Sequence, residues 1–267
     1  MSAIQGIDPT TRKVPPFGGF NTTLVRIELR RMLRNRRSLF FALVFPSLMY
    51  LIFGSGSQGA EKLGGSSVPG SNVSAYVMVS MALYGGALIS ASTGAGVALE
   101  RALGWSRQLR LTPLNPGVYI LMKAGVALVM GAAAIAVVNL IGAVQGKPEM
   151  PVSTWIECGL LTLACVMTFA ALGLFIGYLV PGENVMQILG PGMAALSFLG
   201  GLFIPLSQYA PWVRDIAYWT PMYGVAEVAR APLTHELPWY AVVNALAWLG
   251  LFVAGAAWRM SKDTARV

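Results

Sequence analysis

Glu100, Arg101, Arg107 and Gln108 are the residues of this chain best arranged for directed polar contacts. They stand with Leu103, Gly104 and Trp105 in a connector, residues 100–116, between two long apolar runs. A hairpin between two such runs needs only a few polar residues. This connector has three arginines, apolar residues at helical spacing and a closing Thr-Pro-Leu-Asn-Pro. Arginine suits bidentate pairing across an interface. Gly104 permits a bend or a close approach before Trp105. The pattern predicts a short helix lying along a membrane surface and presented to a partner.

Catalytic chemistry is harder to find. The spans hold two ionisable carboxylate or amine groups, Lys123 and Glu157, each near a span end. Lys123 is expected to snorkel to the cytoplasmic surface and Glu157 to the outer headgroups. An ion-coupled carrier would bury such groups near the midplane. His235 is the single histidine, and no His/Cys/Asp/Glu cluster has metal-ligand spacing. Glu227 and Glu236 are too far apart to read as a magnesium-binding pair. Gly146-Lys147 lacks the upstream glycine spacing of a phosphate loop, and Pro148 stands where Ser or Thr is needed. Cys158 and Cys165 lie about 10 Å apart along one predicted helix, too far for a disulfide. The chain by itself is therefore not expected to be an enzyme, to bind a cofactor or to hold a metal.

The elements that must position these residues are set by composition. The 267-residue chain is 55% hydrophobic and only 11% charged, with mean hydropathy +0.63. A soluble domain carries nearer a quarter charged residues. Six apolar runs, 38–54, 74–97, 117–143, 153–180, 185–204 and 239–258, approach the roughly 20 residues of a membrane span. Pro46 in the first and Gly190-Pro191-Gly192 in the fifth predict kinks or breaks. The formal charge of +8 gathers before the first run, in the 100–116 connector and after the last run. By the positive-inside rule both termini are cytoplasmic. That placement suits anionic lipid rather than nucleic acid. No short apolar core precedes a small-residue cleavage site, so no cleaved signal is expected.

Two flanking segments complete the organisation. Residues 1–19 read as a flexible cytoplasmic tail. Residues 20–37 predict an amphipathic elbow helix capped by Asn21, with Arg26, Arg30, Arg34 and Arg37 on one face. Residues 38–267 then form one six-span domain. Between the last two spans, Pro205, Pro211, Trp219, Pro221, Met222 and Tyr223 mark a long, aromatic, outer-facing segment. Its charges forbid a simple span. It predicts two short re-entrant or interfacial helices broken at Pro221, packed as an outer gate. Gly173-x-x-x-Gly177 predicts a close helix crossing within the bundle.

This order of parts resembles the permease subunit of type 2 ATP-binding-cassette exporters. Two segments carry the resemblance: Glu100-Arg101 through Leu111-Thr112-Pro113, and Gly200 through Arg230 with its Trp219-Thr220-Pro221-Met222-Tyr223 core. The first is similar to the family's coupling helix, the second to its re-entrant outer helices. The resemblance implies an all-α membrane protein that pairs with a second permease, as homo- or heterodimer, and with two copies of a separate ATPase. ATP and magnesium would bind that ATPase. It further implies a pathway between the permeases along the first, second and fifth spans, with Phe45, Met49, Met81, Tyr84, Met193 and Phe198 as candidate lining. The expected role is export of a hydrophobic or amphipathic small molecule, such as a drug or antibiotic, from a bacterial inner membrane. A permease for a lipid-linked glycan or polymer, and a non-transporting scaffold or sensor, are the alternatives.

Overall fold

The computed structural model describes residues 21–65, 67–104, 115–182 and 184–264. These residues are helical, with no strand among them beyond one isolated bridge between Lys62 and Asn72. Helix α1 is Thr22–Arg34 and α2 is Arg36–Phe53, which contains a π-helical turn at Phe40–Val44. There follow α3 (Val73–Ala102), α4 (Pro116–Gln145), α5 (Val152–Leu179), α6 (Val185–Leu199), α7 (Pro211–Ala217), α8 (Pro221–Thr234) and α9 (Trp239–Thr264).

Local sequence explains most of the helix starts. Asn21, Asn35, Asn72 and Asn115 each accept a backbone N–H of the following helix on the side chain. That satisfies one of the donors a helix N-terminus leaves unpaired. Pro116, Pro211 and Pro221 occupy first helical positions, where the missing N–H costs nothing. The expected kink at Pro46 takes the form of the π turn. Proline cannot donate to the carbonyl four residues back, and the chain shifts register so that the Phe45 N–H reaches Phe40 instead.

Helix α3 is the hub, and 83% of its most apolar window is buried inside the chain. Its closest neighbour is α5. A Cβ on Gly173 would lie 2.0 Å from the Ala91 carbonyl oxygen, and one on Gly94 would lie 2.4 Å from that of Ala170. The two backbones touch because neither helix has a side chain there, as the small-residue spacing predicts. Cys158 and Cys165 are buried free thiols of the same bundle.

Three boundaries differ from the sequence reading. The elbow helix does not run to residue 37: Asn35 ends α1 and caps α2, so Arg37 belongs to the first span. Among the described residues five helices are long and apolar enough to cross a membrane, and the predicted fifth span is not one of them. Helix α6 is only 15 residues, or about 22 Å at 1.5 Å per residue, against a hydrocarbon core of about 30 Å. It stops at Gly200 because Gly201 turns left-handed, with φ of 73°. Within it, Gly190-Pro191-Gly192 does not break the helix.

The elements alternate between two ends. At one, α1, the end of α3 and the start of α4 share ion pairs, and the ends of α3, α5 and α9 share a cavity. At the other, the loops clasp one another. Lys62 pairs with Glu149, Asn72 donates to the Lys147 carbonyl at 2.8 Å, and the Val68 N–H reaches Leu233 at the end of α8 at 3.0 Å.

Candidate functional site

At the first end, two carboxylates and two cations from four chain positions form one knot. Glu28 and Arg31 come from α1, Glu100 from the last turn of α3, and Lys123 from the second turn of α4. The Lys123 ammonium bonds both Glu100 and, at 2.7 Å, Glu28. Arg31 reaches Glu100 at 2.5 Å and Glu28 at 3.0 Å. The Tyr119 hydroxyl donates to the second oxygen of Glu100. Burial opposes the charge on Arg31, but Glu100 and Glu28 more than offset that and raise its pKa. Lys123 is 1% exposed and Glu100 3%. Such a group is stable only because each charge is matched and hydrogen-bonded.

This knot corrects two expectations. Glu100 does not offer its carboxylate outward, and Lys123 does not snorkel to the surface; each is buried against the other. Arg101 also turns inward, donating to the carbonyls of Gly177 and Tyr178 at the end of α5. Leu103 remains open at 73% exposure, and Gly104 takes a left-handed φ of 72° that ends the helix. Trp105, Arg107 and Gln108 lie outside the described residues. Sequence reading missed Glu28, Arg31 and Tyr119. The usable signal was Glu28, a lone acid on the apolar side of a basic helix, with a lone lysine in an apolar run at the same end.

On α1, Arg26, Arg30 and Arg34 are exposed, as is Arg37 on α2, while Met32 is buried on the opposite side. The face predicted for the arginines is therefore the solvent- or headgroup-facing one. Arg31 leaves that face to join the knot.

Midway along the bundle, three of the candidate lining residues meet. Phe45 of α2 packs on Tyr84 of α3, with ring centres 5.8 Å apart. Tyr84 packs on Phe203 at 5.1 Å, and Phe203 on Phe198 of α6 at 4.7 Å. The ladder runs from buried Tyr84 to Phe198, which is 49% exposed. Phe203 was not singled out from sequence, where it reads as one more apolar residue of the 185–204 run; the structure places it in the turn after α6. Met49 is half-buried, whereas Met81 and Met193 are 2% and 1% exposed and fill the chain's own core.

The outer-gate residues divide between two roles. Pro205 precedes a short 3-10 turn at Leu206–Gln208, and Pro211 and Pro221 start the two helices of an α7–α8 hairpin. Met222 and Tyr223 are buried, while Trp219 is 80% exposed at the hairpin bend. The bend leaves carbonyls without helical partners, and α9 supplies donors. Asn244 Nδ2 reaches the Tyr218 oxygen at 2.9 Å, and Trp248 Nε1 reaches that of Trp219 at 3.0 Å. Asn244 and Trp248 lie several residues inside α9, so the bend sits deep alongside that span. Arg230 of α8 is wholly enclosed. It donates to the Gly201 carbonyl at 3.0 Å, pairs with Glu227 at 2.7 Å and stacks 4.6 Å over the Tyr76 ring. One side chain thereby joins the hairpin, α3 and the turn after α6.

Charged groups thus stand at both ends of the bundle, with an uncharged aromatic ladder between them. The chain is 26% identical over 229 residues to the Bacillus subtilis (strain 168) protein named "Putative transport permease YvfS", covering 85% of this chain and 91% of that one. Residues 21–233, which contain the knot, the ladder and the hairpin, match the family described as ABC-2 type transporter. The chain is a multi-pass membrane protein and belongs to the ABC-2 type transporter family, as a permease subunit.

Proposed function

We propose that this permease exports a hydrophobic or amphipathic small molecule across a bacterial inner membrane, driven by two copies of a separate ATPase and paired with a second permease. The reading rests foremost on the knot of Glu28, Arg31, Glu100 and Lys123. It ties α1, the end of α3 and the start of α4 into one unit directly beside the 105–114 connector. A force applied to that connector by an ATPase would move both flanking spans and the elbow helix together. ATP and magnesium act on the ATPase, and its two nucleotide states bias two arrangements of the permease. Phe45, Tyr84, Phe203 and Phe198 offer an apolar, aromatic wall, which suits a substrate without fixed charge.

The test is purification of the tagged chain from its native membrane in mild detergent, with vanadate-sensitive ATP hydrolysis measured on the product. A stoichiometric ATPase is expected with the wild type. Leu103→Glu and Arg107→Glu, at the connector, are expected to lose it, and Lys62→Glu, at the far end of the bundle, to keep it. Equal recovery of ATPase by all of these would remove the connector as the docking element.

A further inference from the structure

The first end of the bundle also holds a cavity of about 210 Å³ that the transport reading does not use. It lies where α3, α5 and α9 finish. Arg101, Arg259 and Lys262 line it together with the Tyr178–Pro181 turn. The negative end of α5 would ordinarily repel an anion here. Arg101 answers it by donating to the Gly177 and Tyr178 carbonyls. Arg259 and Lys262 add two further positive charges, one turn apart on α9.

The surroundings point to the source of an anion. Helix α9 is the least enclosed of the long spans, with 17% of its most apolar window buried, and Leu251 and Val253 stand open on it. Trp258 is 54% exposed beside the cavity, with Lys262 4.0 Å over its ring and Arg259 5.8 Å from it. A tryptophan and two basic residues at the end of a lipid-facing helix are the side chains that settle at headgroup level. Basic pockets between spans on the cytoplasmic side hold anionic headgroups.

We infer that this cavity binds a phosphate group, supplied by an anionic phospholipid whose tails lie along α9 or by free phosphate. The inference is independent of what the permease transports. Arg259→Gln/Lys262→Gln tests it, because both residues sit on the last turns of α9 and neither joins the knot. The full chain is placed in phosphatidylcholine vesicles with a minor share of phosphatidylglycerol, extracted gently, and its retained lipid is weighed by native mass spectrometry. A parallel sample in pure phosphatidylcholine receives inorganic phosphate. Each basic residue near an anionic headgroup contributes about fivefold in binding, so the double variant should retain about 25-fold less, and Lys262→Gln alone about fivefold less. Lys62→Gln/Lys147→Gln, at the other end, should match the wild type. Loss of bound phosphatidylglycerol in the double variant supports a lipid site, and loss of a phosphate adduct alone supports a free-anion site. Equal retention by wild type and double variant overturns the inference. So does retention with no preference over phosphatidylcholine and no phosphate adduct. A double variant that keeps its lipid and phosphate but loses a co-purifying ATPase also overturns it, and assigns the cavity to protein docking.

Discussion

Replacing Lys123 by methionine isolates the energetic worth of the knot. Methionine keeps most of the length and volume of the lysine and removes the charge. Lys123 is 1% exposed and stands between Glu28 and Glu100. The variant leaves two carboxylates, one of them fully buried, to share Arg31 alone. Breaking a buried pair by removing one partner costs about 3–5 kcal/mol, because the remaining charge stays desolvated. Lys62→Met is the matched control. Its pair with Glu149 is 58% and 55% exposed, and such surface pairs contribute about 0–1 kcal/mol. The two variants delete the same group from a lysine–glutamate pair and differ chiefly in burial. Adding Glu100→Gln to Lys123→Met leaves Glu28 opposite Arg31 and removes the uncompensated acid. The double variant should recover about 1–3 kcal/mol over the single one. The assay is reversible denaturation of the purified permease in mixed micelles, followed by helical ellipticity. If Lys123→Met costs no more than Lys62→Met, or if Glu100→Gln adds its own loss instead of restoring stability, the four charges do not form one balanced group and the coupling argument built on them fails.

Other expectations follow from the packing. Gly173→Ala places a methyl 2.0 Å from the Ala91 carbonyl and should cost about 3 kcal/mol, whereas Gly159→Ala meets nothing within 4 Å and should be neutral or gain up to about 1 kcal/mol. The same denaturation assay reads both. Pro221→Ala frees the first turn of α8 and should lower transport while leaving ATPase co-purification intact; unchanged efflux would count against a gating hairpin. Arg230→Met strands the Gly201 carbonyl and the Glu227 carboxylate, and should destabilise by about 3 kcal/mol. Tyr84→Ala removes the middle of the aromatic ladder and should change which apolar compounds are exported, measured as efflux of a fluorescent panel; an unaltered panel would place the path elsewhere.

Much of the architecture was legible before any coordinates. Apolar runs the length of a bilayer and the Asn21 cap are local signals, and five of the six runs and the capped helix appear among the described residues, whereas the 185–204 run forms only the 15-residue α6. The π turn at Pro46 and the glycine contact between α3 and α5 are local as well, because a missing N–H and a missing side chain have consequences wherever they occur. The α7–α8 hairpin was legible as two short helices for the same reason: its charges and prolines do not suit an unbroken span.

Other features depended on which segments meet. Glu28 reads as a flaw in an amphipathic helix until α1 is laid across α4, where Lys123 makes it a counter-ion. Glu100 reads as a surface acid in a basic connector until the last turn of α3 is seen to carry it inward. Arg230 reads as an exposed loop charge, yet α8 folds back along α9 and encloses it between Tyr76, Ser80 and Gly201. In each case the side chain alone does not say whether its charge is in water or paired. Helix propensity and hydropathy act over neighbouring residues and are written in the sequence; the groups that enclose a charge, Lys123 for Glu28 and Glu100 or Tyr76 and Gly201 for Arg230, lie tens of residues away, and only tertiary packing brings them together.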